Sequence, residues 1–93
     1  MIKKDQRITG RQIAAGRALV GLSQATLAAE ARVSVPTLKR MEGSEGEATG
    51  MANNVMAVQS ALEAAGIVFM DDGETTTGGP GVRLKANQER PAG

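Results

Sequence analysis

A chain of 93 residues is long enough for one small domain and too short for two, so any binding surface larger than that domain requires self-association. Cys and His are both absent, which removes disulfides, thiol nucleophiles, His general bases and the zinc sites built from those ligands; no enzymatic activity, metal or cofactor is expected. The net charge of +1 conceals a segregation, because Met1–Arg40 carries eight Lys or Arg against Asp5 and Glu30, a balance of +6, whereas residues 41–80 hold seven acids and no Lys or Arg.

Residues 1–8 are polar and read as a flexible arm. Thr9 followed by Gln12 has the spacing of a capping box, so a first helix is expected from Gly10 to about Val20, burying Ile13, Ala14 and either Leu19 or Val20, with Gly21 as its stop. Ser23 is a good N-cap for a second helix from Gln24 to about Ala31, with Leu27, Ala28 and Ala31 on one face. Ser34 can cap a third, in which Pro36 occupies the first turn, where its missing N–H costs nothing, and Leu38 and Met41 face inward. GSEGEATG, residues 43–50, reads as a loop. A fourth helix from about Met51 to Ala65 sets Val55, Val58 and Leu62 on one stripe and closes at Gly66.

Beyond residue 66, Ile67–Met70 is a short apolar run, DDGETTTGGPG is dense in turn residues, and Val82–Lys85 alternates apolar with basic, the pattern of a long-looped β-hairpin. Its second strand either pairs with Ile67–Met70 of its own chain or joins a partner, and the hairpin is expected near a two-fold interface. Asp71, Asp72 and Glu74 match no calcium loop and are better explained by the turn. Residues 86–93 read as a disordered tail, which leaves 9–66 as the helical domain and 67–85 as a hairpin extension. The five Met serve as core or gap-filling residues. No apolar run approaches the ~18 residues of a membrane span and the basic start lacks the apolar stretch of a signal peptide, so a cytoplasmic location without membrane contact is expected.

The segment most informative about function is SQATLAAEARVSVPTLKRME. Two short helices joined by three residues can cross steeply only if small residues sit at their contact, which Ala28 supplies; Val33 plugs the turn, and Leu27 and Leu38 fill the interior on either side. The second helix of the pair then projects Val35, Pro36, Thr37, Lys39 and Arg40 toward a groove of matching width, and the N-terminal amides of both helices face where phosphates can bind. This is a helix-turn-helix. The expected architecture is therefore mainly α, a four-helix helix-turn-helix DNA-binding domain followed by a short C-terminal β-hairpin, with residues 34–42 as the recognition helix.

Ser23-Gln24, Leu27-Ala28, Val33-Ser34, Thr37-Leu38 and Arg40-Met41-Glu42 together resemble the Cro and phage-repressor class of helix-turn-helix regulators, also called the xenobiotic-response-element family, over about residues 11–65. EAAGIVFM, a Gly-rich turn and GVRLK resemble a bacterial subgroup ending in a β-hairpin. The resemblance implies that Gln24 contacts the DNA backbone, that the start of the helix from Ser34 to Arg40 reads bases, and that Arg17 and Glu42 form a structural ion pair. Arg40 is suited to a bidentate contact with guanine, and Val35 and Pro36 are either helix-start structure or an apolar surface for a thymine methyl. Two features depart from the family: Arg32 stands where Gly is usual, so the turn either holds Arg in a left-handed conformation or takes another shape, and Glu45 and Glu47 occupy a loop that usually offers amides and basic residues to phosphate. The function expected is sequence-specific binding of double-stranded DNA by a homodimeric, repressor-type regulator. The alternative is an antitoxin-like inhibitor whose acidic half or hairpin masks a protein partner while DNA binding serves autoregulation. RNA binding is disfavoured, because the exposed aromatic residues on which single-stranded RNA stacks are missing.

Overall fold

In a computed structural model, residues 7–71 and 78–85 are described, and they form α1 (Gly10–Val20), α2 (Gln24–Ala31), α3 (Val35–Glu42), α4 (Ala52–Ala64), β1 (Ile67–Met70) and β2 (Gly81–Leu84). Each of the first three helices begins where a side-chain hydrogen bond satisfies an amide that the first turn leaves without a partner. The Gln12 N–H donates to Thr9 Oγ1 at 3.0 Å and the Thr9 N–H donates to Gln12 Oε1 at 2.8 Å, a complete capping box. Ser23 Oγ accepts from the Thr26 N–H and Ser34 Oγ from the Thr37 N–H, and Pro36 lies in the first turn of α3. Gly21, at φ 72°, ends α1 in a left-handed turn. Met51 begins α4 without any side-chain cap.

The helices pack around Ile13, Leu27, Leu38, Met41, Val55, Val58 and Leu62, and the antiparallel hairpin closes one side of this core through Ile67 and Phe69. β1 and β2 pair within the chain, Ile67 opposite Leu84 and Met70 opposite Gly81, so β2 starts one residue before the expected Val82. Lys85 follows the strand and its N–H donates to the Gly66 carbonyl at 2.7 Å. Gln12, which is almost fully buried, ties α1 to the hairpin: its Nε2 donates to the Met70 and Gly81 carbonyls at 3.0 and 2.9 Å. Gly16 also faces the hairpin, where a Cβ would stand in ordinary contact, 3.4 Å from the Ile67 side chain.

Several expectations are corrected by long-range packing. The reading of residues 1–8 as a loose arm fails at 7 and 8, while 1–6, like the expected tail at 86–93, lie outside the described residues. Ile8 is completely buried, its carbonyl accepts from the Ala48 N–H at 2.9 Å, and Arg7 Nη1 donates to the Ala48 and Gly50 carbonyls. Thr9 and Glu47 form an antiparallel bridge beside them, so the 43–50 loop is pinned rather than free. On α1, Val20 packs against the core, Leu19 is exposed and Ala14 is half-buried. Met41 is a core residue, but Met51 and Met56 are exposed and fill no gap.

The start of α1 lies directly against the end of α3. A Cβ at Gly10 would collide with the Met41 carbonyl oxygen and crowd those of Glu42 and Ser44, and the Gly10 N–H donates to the Gly46 carbonyl. Backbone cannot yield as a side-chain tip can, so Gly10→Ala is expected to destabilise by about 3 kcal/mol or more. Gly46→Ala, with open space around its Cβ, is expected to stay within about 0.5 kcal/mol of wild type in urea unfolding followed by circular dichroism.

Candidate nucleic-acid interface

The α2–α3 pair is joined by Arg32, Val33 and Ser34. Ala28 is buried, as a close crossing needs, and Val33 packs against the core. Arg32 adopts φ 60° and ψ 43°, which settles the turn as left-handed: its N–H donates to the Ala29 carbonyl at 3.2 Å and the Val33 N–H to the Ala28 carbonyl at 3.0 Å. These are the two bonds of a Schellman motif, with Arg where glycine is most easily accommodated. The Arg32 side chain is exposed at the junction of the helices.

Along α3, Leu38 and Met41 point into the core, and Pro36, Lys39 and Arg40 are the exposed residues of its outer face. Val35 is half-buried against the core and Pro36 is exposed, so of the two short apolar candidates Pro36 presents the outward surface. Thr37 is half-buried; Ser34 Oγ donates to its Oγ1 at 2.8 Å, and Arg40 Nη2 lies at the limit of hydrogen bonding to the same oxygen, 3.5 Å. Ser34, Lys39 and Arg40 are exposed, and among the described residues neither cation is in an ion pair. The end of α3 is held by Ser44, whose Oγ donates to the Arg40 carbonyl at 3.1 Å and accepts the Thr49 N–H at 3.0 Å.

Behind this face lies the Arg17–Glu42 pair. Arg17 Nε donates to Glu42 Oε2 at 2.7 Å and Nη2 to Oε1 at 3.0 Å, a two-bond fork that joins α1 to the last residue of α3. Arg17 Nη1 also donates to the Leu22 carbonyl at 3.1 Å. The Glu42 side chain is 8% exposed and that of Arg17 23%, so the carboxylate is close to fully withdrawn from water. The hydrogen bonds that Arg17 donates to Glu42 raise its guanidinium above its ordinary value, against partial burial and with the charge of Glu42 adding to the effect. A cation raised in the folded state stabilises at every pH below its unfolded value and is lost only as pH climbs through the raised one, so Arg17 contributes throughout the neutral range.

Gln24 stands at the start of α2, half-buried, and donates from Nε2 to Glu42 Oε1 at 3.0 Å. No local pattern signals this bond, because the partners are 18 positions apart on different helices. The acidic loop after α3 exposes Glu45 and Glu47. A separate cavity of about 380 Å³ is lined by Thr9, Arg11, Gln12, Ala15, Glu45 and Pro80–Val82, none of them on α2 or α3. Among the described residues no group of three His, Cys, Asp or Glu could hold a metal ion, and no helix is long and apolar enough to cross a membrane; Asp72 and Glu74 lie outside the described residues. No family model matches the chain, and no curated protein is significantly similar to it.

Glu42→Ala strands the Arg17 charge and is expected to cost ~3 to 5 kcal/mol, read as a lower denaturant midpoint. Arg32→Gly relieves the left-handed strain and is expected to raise stability by about 1 kcal/mol in the same measurement.

Proposed function

We propose that the chain is a sequence-specific DNA-binding regulator of the repressor type, acting as a homodimer without catalysis or cofactor. The observation that carries the reading is the outer face of α3, where Pro36, Lys39 and Arg40 are exposed on a helix held rigidly from behind. An α-helix with its side chains is about 10–12 Å across and the major groove of B-DNA is about 12 Å wide, so a projecting helix such as α3 fits the groove. Pro36, near the helix start, suits an apolar contact with a thymine methyl, and the two long cations reach base edges or flanking phosphates.

Arg32 adds a third exposed cation to the same helix pair, and the helix N-termini at Ser23 and Ser34 offer amides to phosphate. Glu45 and Glu47 repel phosphate, so the DNA approaches from the side of α2 and the start of α3 rather than from the 43–50 loop. One short helix reads only a few base pairs, and a two-fold pair of helices on an inverted repeat supplies the rest.

Titration of wild type, Arg40→Ala and Lys39→Ala against the best-bound duplex and a scrambled duplex, at several salt concentrations, tests this assignment. Arg40→Ala is expected to cost ~1 to 3 kcal/mol mainly on the specific duplex, and Lys39→Ala to lower the salt slope by about one unit per monomer. Equal losses on both duplexes for Arg40→Ala would make it a phosphate contact, and no preference of wild type between the duplexes would remove the sequence-specific reading altogether.

A further inference from the structure

Gln24 has two N–H donors on its side-chain amide, and one of them is committed to Glu42 Oε1 at 3.0 Å. The acceptor is itself fixed, since both oxygens of Glu42 receive Arg17 and the carboxylate is almost entirely buried. Arg17 in turn grips the Leu22 carbonyl, in the link that leads into α2. A chain of hydrogen bonds therefore runs from the backbone before α2, through α1, to the end of α3 and back to the first residue of α2. A free glutamine side chain samples several rotamers, and a contact made by one carries the entropy cost of choosing among them. Here that choice is made by the fold. We propose that Glu42 is a positioning residue: it orients the Gln24 amide so that its second N–H is presented to one phosphate beside α3, which links the placement of the reading helix to the grip on the backbone.

The inference rests on the DNA-binding reading and predicts a dependence that a purely structural ion pair would not show. Replacing both charges, Arg17→Met with Glu42→Met, leaves the net charge unchanged and avoids a stranded ion, so the protein is expected to remain folded. Glu42→Asp keeps the charge but withdraws the carboxylate by one methylene, and is read alongside. Binding to a random-sequence duplex at fixed salt is measured for wild type, for each variant, and for each combined with Gln24→Ala. Both Glu42 variants and Gln24→Ala alone are expected to weaken binding by a similar factor, on the order of ten- to a hundredfold, the loss of one hydrogen bond to a charged group. Adding Gln24→Ala to either Glu42 variant should then weaken binding no further. In nitrogen-edited NMR spectra without DNA, the Gln24 side-chain amide protons should be shifted and slow to exchange in wild type and move to free-glutamine values in both Glu42 variants. If Gln24→Ala lowers affinity by the same factor in every background, or the folded Glu42 variants bind as wild type does, Glu42 does not act through Gln24. Gln24 amide protons that already exchange as free glutamine in wild type would overturn the positioning role with no DNA present. A wild type that binds no duplex at all would sink the regulator reading, and this inference with it.

Discussion

The Glu42 carboxylate sits where α1, α2 and α3 meet, and it accepts three hydrogen bonds from two of those helices. A buried carboxylate is costly unless its oxygens are satisfied, and here the partners that satisfy it are the ones that fix the helix pair. The net stabilisation from such a pair is modest, because apolar residues of similar size often serve as well. Its value lies in direction: with two donors from one guanidinium and a third from the start of α2, the carboxylate fits one arrangement of three helices. α2 and α3 have eight residues each and would be marginal helices alone in water, so their geometry has to come from contacts of this kind.

The same end of α3 is held a second time from the other side. Gly10 lets the backbone of α1 press against the carbonyls of Met41, Glu42 and Ser44, while Ile8 and Arg7 fasten the 43–50 loop that follows α3. Gln12 then connects the start of α1 to the hairpin, so β1 and β2 brace the domain instead of hanging from it. A two-stranded hairpin has little stability of its own, and burial of Ile67 and Phe69 against the helices supplies what pairing cannot. On the DNA-binding reading this bracing holds the outer face of α3 still, and a rigid face loses less conformational entropy on binding than a loose one.

What was legible in the sequence was local. Thr9 with Gln12, Ser23, Ser34 with Pro36, and Gly21 each mark a helix end through bonds that span a few residues, and the structure has all of them. The apolar stripes of α2, α3 and α4 likewise follow from periodicity and are buried as expected. Features set by distant segments were not legible. Ile8 looked like part of a polar arm because its partner Ala48 lies 40 residues on, and Gln12 showed only its capping role because its other partners are carbonyls in the hairpin. For the candidate site, composition and spacing picked out the face of α3, and the resemblance supplied the Arg17–Glu42 pairing. The bond from Gln24 to Glu42, and the greater burial of Val35 than of Pro36, emerged only with the packing.

On the proposed DNA-binding reading, α3 is a sequence reader held in fixed relation to a backbone contact on α2, and a site of useful length requires two copies. Selection of bound duplexes from a random library, at a stated salt concentration, tests that claim most directly. The account predicts enrichment of an inverted repeat whose half-sites lie about one helical turn apart, centre to centre. Recovery of unenriched sequence, retained only at low salt, would contradict it.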